Sequence, residues 1–99
     1  MKDRLKFDFS DDEKSLVIKA LSMLRNILIS QNRATIAVDE ILLRLGDKNK
    51  IELDRIETNI IINALNNLRK FIKTEHQSPT DVNDVLLKLI DETDKKKYF

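Results

Sequence analysis

The 99-residue chain contains no cysteine and no tryptophan, and it has only one glycine, one proline and one histidine. The lack of cysteine excludes disulfides, thiolate zinc sites and cysteine nucleophiles. With Gly46 as its only glycine, the chain has neither of the familiar glycine-rich loops that hold phosphate groups. The single histidine, His76, has no histidine or cysteine partner for a catalytic or metal-binding set. We therefore expect no enzyme activity, no metal and no cofactor.

The chain also lacks any apolar run of about 18 residues that would span a bilayer, and it begins without an apolar stretch of signal-peptide length. We expect a soluble, cytoplasmic protein with no membrane partner. Lysine and arginine number 18 against 17 acidic residues, so the net charge of +1 gives no overall attraction to nucleic acid. The abundance of isoleucine, lysine and asparagine suits an AT-rich bacterial or phage genome.

An internal repeat is the strongest pattern in the sequence. Residues 9–47 align without a gap to residues 53–91, which lie 44 positions later, with 11 identities in 39 positions. Most of the other apolar positions are exchanged for similar ones, such as Ile41 for Val85. We interpret residues 1–99 as a single domain built from two tandemly duplicated units, about 7–47 and 51–91, followed by a basic tail at 95–99.

Each unit predicts a helical hairpin. The capping boxes Ser10–Glu13 and Asp54–Glu57 each mark the start of a long helix. A second cap signal at Ser78–Asp81 begins the last helix, and Gly46 is expected to end the second. Apolar residues recur at helical spacing in four stripes: Val17, Leu21, Leu24 and Leu28; Val38, Ile41, Leu42 and Leu45; Ile61, Leu65, Leu68 and Ile72; and Val82, Val85, Leu86 and Leu89.

The fold expected from these patterns is an all-α, compact four-helix domain. Neither hairpin can bury its apolar face alone, so we expect the two to pack around a pseudo-twofold axis. Alternating apolar residues around 6–9 and 50–53 also predict very short extended segments before each hairpin, which can pair as strands.

Protein–protein binding is the function that these features favour. The first helix is apolar around well over half of its circumference, which is more than one neighbouring helix covers. A central helix with two neighbours would explain this breadth as well, and an exposed patch would bind another protein or a second copy in a homodimer. The side chains proposed for this interface are Ile18, Ile29, Ile62, Arg25, Arg69, Tyr98 and Phe99.

Arg25 and Arg69 occupy equivalent positions of the two units beside apolar stripes. An arginine in that place lays its stem over apolar surface and pairs its guanidinium with a carboxylate. Asp47 and Asp91, which are also identical in both units, are the expected partners. The alternative is that both arginines hold an anionic ligand near the axis.

DNA binding is the main alternative function, although nucleic acid is the less favoured partner. One face of the third helix carries Arg55, Asn59, Asn63, Asn66, Lys70 and Lys73. Asparagine can bind adenine in the major groove while the basic residues contact phosphate. Two features oppose this hypothesis: residues 51–94 are net acidic, and the segment from Gly46 to Leu53 is long for the tight turn of a helix-turn-helix.

Overall fold

The computed structural model describes residues 4–74 and 80–97, and it is a compact four-helix domain with a small two-stranded sheet. The side chains at positions 47, 73, 74, 80, 81 and 93–97 lie outside this description. The elements in chain order are β1 (Leu5–Asp8), α1 (Asp11–Ser30), α2 (Ile36–Asp47), β2 (Lys50–Leu53), α3 (Arg55–Thr74) and α4 (Thr80–Lys97). The four helices and the two short extended segments confirm the predicted fold class.

Both predicted capping boxes are present. At the start of α1, the Glu13 amide donates to Ser10 Oγ at 3.1 Å and the Ser10 amide donates to Glu13 Oε1 at 2.8 Å. At the start of α3, the Glu57 amide donates to Asp54 Oδ1 at 2.7 Å and the Asp54 amide donates to Glu57 Oε1 at 3.0 Å. These bonds satisfy amides that the helix itself leaves without acceptors, so the two long helices begin at defined residues.

Two helix ends differ from the sequence-based expectation. Gly46 lies inside α2, has no left-handed φ and does not cap the helix, which ends when Lys48 takes an extended conformation. Residues 95–97, which we placed in a tail, continue the backbone of α4. Residue type alone is therefore a weak signal for where these helices end.

The two strands form an antiparallel ribbon. Phe7 lies opposite Ile51, which is its equivalent 44 positions later, and Leu5 lies opposite Leu53. These four side chains are buried, whereas Lys6, Asp8, Lys50 and Glu52 on the other face of the ribbon are exposed. The strand register thus places Phe7 opposite its sequence equivalent, while the pseudo-twofold axis relating the two hairpins stays a prediction. Duplication of the whole chain stays a prediction.

A single apolar core lies between the ribbon and the four helices. Its largest fully buried side chains are Phe9, Leu21, Ile41, Leu45, Leu53, Ile61, Leu65, Leu68 and Leu89. The most extensive helix contact joins α1 and α3, and each of these helices also packs against the helix that follows it. In addition, α4 packs against β1 and α2 packs against β2. Each unit therefore supplies a helix to the strand of the other, so the two hairpins are interlocked.

Candidate functional site

The outward face of the ribbon adjoins an open depression of about 500 Å³, which we call the α2–β2 depression. It lies between the C-terminal half of α2 and β2, and Arg4, immediately before β1, also lines it. Its lining residues are Arg4, Leu43, Arg44, Lys48, Lys50, Ile51 and Glu52. A second depression of similar volume continues along the ribbon past Lys6, Phe7 and Asp8 and shares four of these residues. The ribbon face and the end of α2 thus form one continuous concave surface.

Positive charge dominates this surface. Arg4, Lys6, Lys48 and Lys50 make no hydrogen bond or ion pair with any side chain or backbone group that the structure describes. Lys6 stands opposite Glu52, and Lys50 opposite Asp8, without forming an ion pair. Four cationic groups therefore face solvent on the ribbon and beside it.

Arg44, by contrast, is half-buried and paired with groups of the fold. Its Nη1 donates to the Glu52 carbonyl at 3.0 Å, and its Nη2 pairs with the Glu57 carboxylate. Phe9 donates to the Asn49 carbonyl, so in the alternating pattern of an antiparallel pair the Glu52 carbonyl points away from β1. Arg44 therefore covers part of the outer edge of β2 and links α2 of one unit to α3 of the other.

Lys88, the equivalent of Arg44 in the second unit, makes the reciprocal contacts. Its Nζ donates to the Asp8 carbonyl at 2.6 Å and to Glu13 Oε1 at 2.8 Å, and it lies 5.6 Å from the centre of the Phe9 ring. The hydrogen bond from Lys88, together with the one from the Ser10 amide, lowers the pKa of Glu13 below its ordinary value of 4.5. The outer edges of both strands are thus covered at equivalent positions, which disfavours pairing with a further strand.

The helix α2 has a second apolar line on the side away from the core. Val38, Ile41 and Leu45 face the core and are buried. Ile36 and Leu43 lie two turns apart on the opposite side of the helix, and they are 70% and 75% exposed. On α4, the position equivalent to Ile36 is Thr80, so the line is apolar on α2 alone.

The predicted apolar interface residues have different environments. Ile18 and Ile62 are partly buried and pack against the core. The packing of Ile18, together with that of Leu16 and Met23, explains much of the breadth of the apolar face on α1. Ile29 is 50% exposed near the end of α1. Tyr98 and Phe99 lie outside the described residues. Among the residues proposed from the sequence, Ile29 is thus the described apolar side chain most accessible to a partner.

The two equivalent arginines contact side chains at equivalent positions of the following helix. Arg25 Nε pairs with Asp39 Oδ1 at 2.7 Å, and Arg69 Nη1 donates to Asn83 Oδ1 at 3.1 Å. The hydrogen bond from Arg25, helped by one from Thr35, lowers the pKa of Asp39. Each arginine thus reaches the start of the next helix, and Arg69 contacts Asn83 rather than the expected Asp91. The side chain of Asp47, the other expected partner, lies outside the description.

The predicted nucleic-acid face of α3 is exposed. Arg55, Asn59, Asn63, Asn66 and Lys70 all face solvent on the side opposite the buried stripe, while the side chain of Lys73 lies outside the description. Ile56, which is also exposed, lies beside Asn59 at the start of the same helix. The face is separate from the α2–β2 depression, none of whose lining residues belongs to α3.

The residues that line the α2–β2 depression were not identified from the sequence. A signal was present, because Arg4 and Lys48, as well as Lys6 and Lys50, are cations 44 positions apart. Lys6 and Lys50 also alternate with apolar residues, which predicts an outward direction in a strand. The sequence does not show that the ribbon and the end of α2 lie close enough to line one depression.

Metal-binding side chains do not cluster in the part of the chain that the structure describes. No cluster of three or more histidine or acidic side chains is placed there to hold a metal ion, and His76 lies outside it. None of the helices, over the residues described, is long and apolar enough to cross a membrane. No protein-family model matches the chain, and neither a curated protein nor a solved structure matches it.

Proposed function

We propose that this protein is a non-enzymatic module that binds another protein through the outer face of α2. The observation that carries the proposal is the pair Ile36 and Leu43, which point away from the core with most of their surface in water. Neither side chain contributes appreciably to the buried core. Stabilisation of the fold therefore does not explain why two large apolar residues lie in one exposed line. A partner that covers them supplies that reason.

The energy available from this line suits a specific but modest contact. Burying one large aliphatic side chain contributes about 1.5–3 kcal/mol. The two residues are separated by about 10 Å along the helix axis, at 1.5 Å per residue. Such a pair can anchor a partner helix or extended segment, and the polar side chains around them would form the rim of the interface.

Affinity capture with matched variants tests the proposal. We expect wild-type protein and Leu87→Asp to enrich the same protein from a lysate of the source organism, and Leu43→Asp to lose it by about tenfold or more. Leu87 is the equivalent of Leu43 and is 58% exposed, so its variant controls for the added charge. Equal enrichment on Leu43→Asp would contradict the proposal for α2, and loss on Ile29→Asp would move the interface to the end of α1.

The partner can also be a second copy of the chain. Analytical ultracentrifugation of the purified protein distinguishes this case, because a wild-type dimer that becomes monomeric in Leu43→Asp identifies the chain as its own partner. A wild-type monomer leaves a different protein as the partner.

DNA binding remains the second candidate, and the exposure of the asparagine face on α3 favours it. Four of its polar side chains, Arg55, Asn59, Asn63 and Asn66, stand free of the core on one side of a long helix, as insertion into a major groove requires. Nuclease treatment of the same captured material separates the two functions. Enrichment that disappears with nuclease and with Asn63→Ala would assign function to this face instead of α2.

A further inference from the structure

We infer that the α2–β2 depression binds an acidic segment of a partner protein, with an apolar side chain of that segment against Leu43. The inference rests on the proposed function and specifies the chemistry of the partner. It is based on two features that meet in one place: a leucine that is largely exposed, and cations that have no internal partner.

The charge around the depression is the first part of the argument. Arg4, Lys48 and Lys50 face solvent, and Glu52 is the one acidic side chain in the lining. Arg44 adds no free charge, because Glu57 pairs with it. A surplus of two positive charges therefore lies around the exposed Leu43 side chain, and carboxylates of a partner would find charge-assisted hydrogen bonds there.

The edge of β2 determines how the segment can bind. A peptide could in principle extend the ribbon by adding a third strand. Arg44 already donates to the outward carbonyl of Glu52, so an added strand would have to displace an arginine that also holds Glu57. The segment is therefore recognised through its side chains, and its backbone need not be extended.

The equivalent positions of the second unit differ in charge. Leu87 replaces Leu43, and Glu92 stands where the first unit has Lys48. Lys88, the equivalent of Arg44, pairs with Glu13. Lys48 is thus the charge that distinguishes the first unit, and the second unit supplies Leu87 as a matched control.

A protein segment fits the surface better than a nucleic acid does. Phosphate groups would not bury the apolar surface of Leu43, whereas an apolar side chain of a peptide would remove that surface from water. The carboxylates of Asp8 and Glu52 on the ribbon face would repel a phosphate backbone. Carboxylates spaced along a flexible segment can instead contact the cations and avoid these two groups.

The experiment begins with wild-type protein and a displayed library of random peptides of about ten residues, which reach roughly 33 Å when extended. We expect the enriched peptides to be rich in aspartate and glutamate and to share one large apolar residue. A fluorescein-labelled copy of the most enriched peptide is then titrated by fluorescence anisotropy against Leu43→Ala and Lys48→Glu. The controls are Leu87→Ala and Lys19→Glu, which change an equivalent leucine and an exposed lysine of α1.

The expected result is a dissociation constant about tenfold larger for Leu43→Ala and for Lys48→Glu, with changes below about twofold for the two controls. Enriched peptides without acidic residues, peptides unaffected by Lys48→Glu, or no enrichment at all would overturn the inference. So would a short DNA duplex that binds wild-type protein and is lost in Lys48→Glu but retained in Leu43→Ala. Capture of a protein partner that depends on Leu43 but not on Lys48 would overturn the inference and leave the proposed function intact.

Discussion

Arg44 and Lys88 show at the scale of single residues how the two units hold each other. Each cation extends from the second helix of its own unit to a strand carbonyl and to a helix-capping glutamate, and for both the glutamate belongs to the other unit. The sequence contained the clue that both positions are basic and 44 residues apart. It could not identify the partners, because the partner of a surface cation depends on which helix ends meet in space.

The pair formed by Glu13 and Lys88 makes stability depend on pH. In the folded protein the pKa of Glu13 is lowered, chiefly by the hydrogen bond from Lys88, so the charged form stabilises the fold above the ordinary value near 4.5. This contribution is lost as the pH falls through the lowered pKa. We expect Glu13→Gln to reduce the free energy of unfolding by about 0.5–1 kcal/mol near neutral pH, and this difference from wild type to shrink as the pH falls below 4.5.

Urea denaturation followed by circular dichroism, near neutral pH and at a series of pH values below 4.5, measures this difference. Glutamine at this position can still complete the capping box, so the substitution removes the charge and spares the helix start. Glu40→Gln, on the exposed side of α2, is the matched control and should leave the free energy of unfolding unchanged within about 0.5 kcal/mol. A deficit for Glu13→Gln that persists at low pH would show that lost packing, rather than charge, explains the effect.

At the scale of elements, the start of each long helix was predictable and the ends were not. The first residues of α1 and α3 are specified by capping bonds between side chains three positions apart, and so the sequence alone contains the whole interaction. The helix α2 ends soon after Leu45, the last of its buried residues among those described, and Gly46 does not cap it. The ribbon was predictable from alternation, since Phe7 and Ile51 lie between charged residues.

The capping box of α1 leads to a direct prediction. Ser10→Ala removes the acceptor of the Glu13 amide, and we expect the free energy of unfolding to fall by about 1 kcal/mol. Ser15→Ala, at an exposed interior position of the same helix, should instead be neutral or slightly stabilising because alanine has the higher helix propensity. Thermal and urea denaturation of the two variants provide the comparison. Equal effects of the two substitutions would mean that the cap contributes nothing beyond propensity.

At the scale of the whole molecule, the interlocked arrangement could not be read from the repeat. Two similar hairpins can pack side by side as separate units or exchange elements, and both arrangements bury the same apolar stripes. The ribbon decides between them, because β1 and β2 pair with each other while α4 packs on β1 and α2 packs on β2. Residues such as Phe9 and Leu53 are therefore buried only when both units are present.

Separated halves of the chain test this arrangement. A fragment of residues 1–48 keeps the contact between α1 and α2 but loses β2, α3 and α4, so its apolar residues lose most of the surface that they pack on. Isolated helices of this length are marginal in water without tertiary contacts. We expect each half alone to show much less helical signal per residue than the intact chain, and an equimolar mixture with residues 49–99 to recover most of it as a one-to-one complex.

Circular dichroism and sedimentation of the halves and their mixture give the result. Phe7 faces Ile51, its sequence equivalent, across the ribbon. Residues 1–48 at high concentration are therefore also expected to form a dimer, in which Phe7 of each copy occupies the place that Ile51 has in the intact chain. Phe7→Asp in that fragment should prevent both the self-association and the recovery with the other half, since it places a charge at the buried centre of the ribbon. A monomeric and fully helical 1–48 fragment would refute interlocking, because it would mean that one hairpin buries its own core.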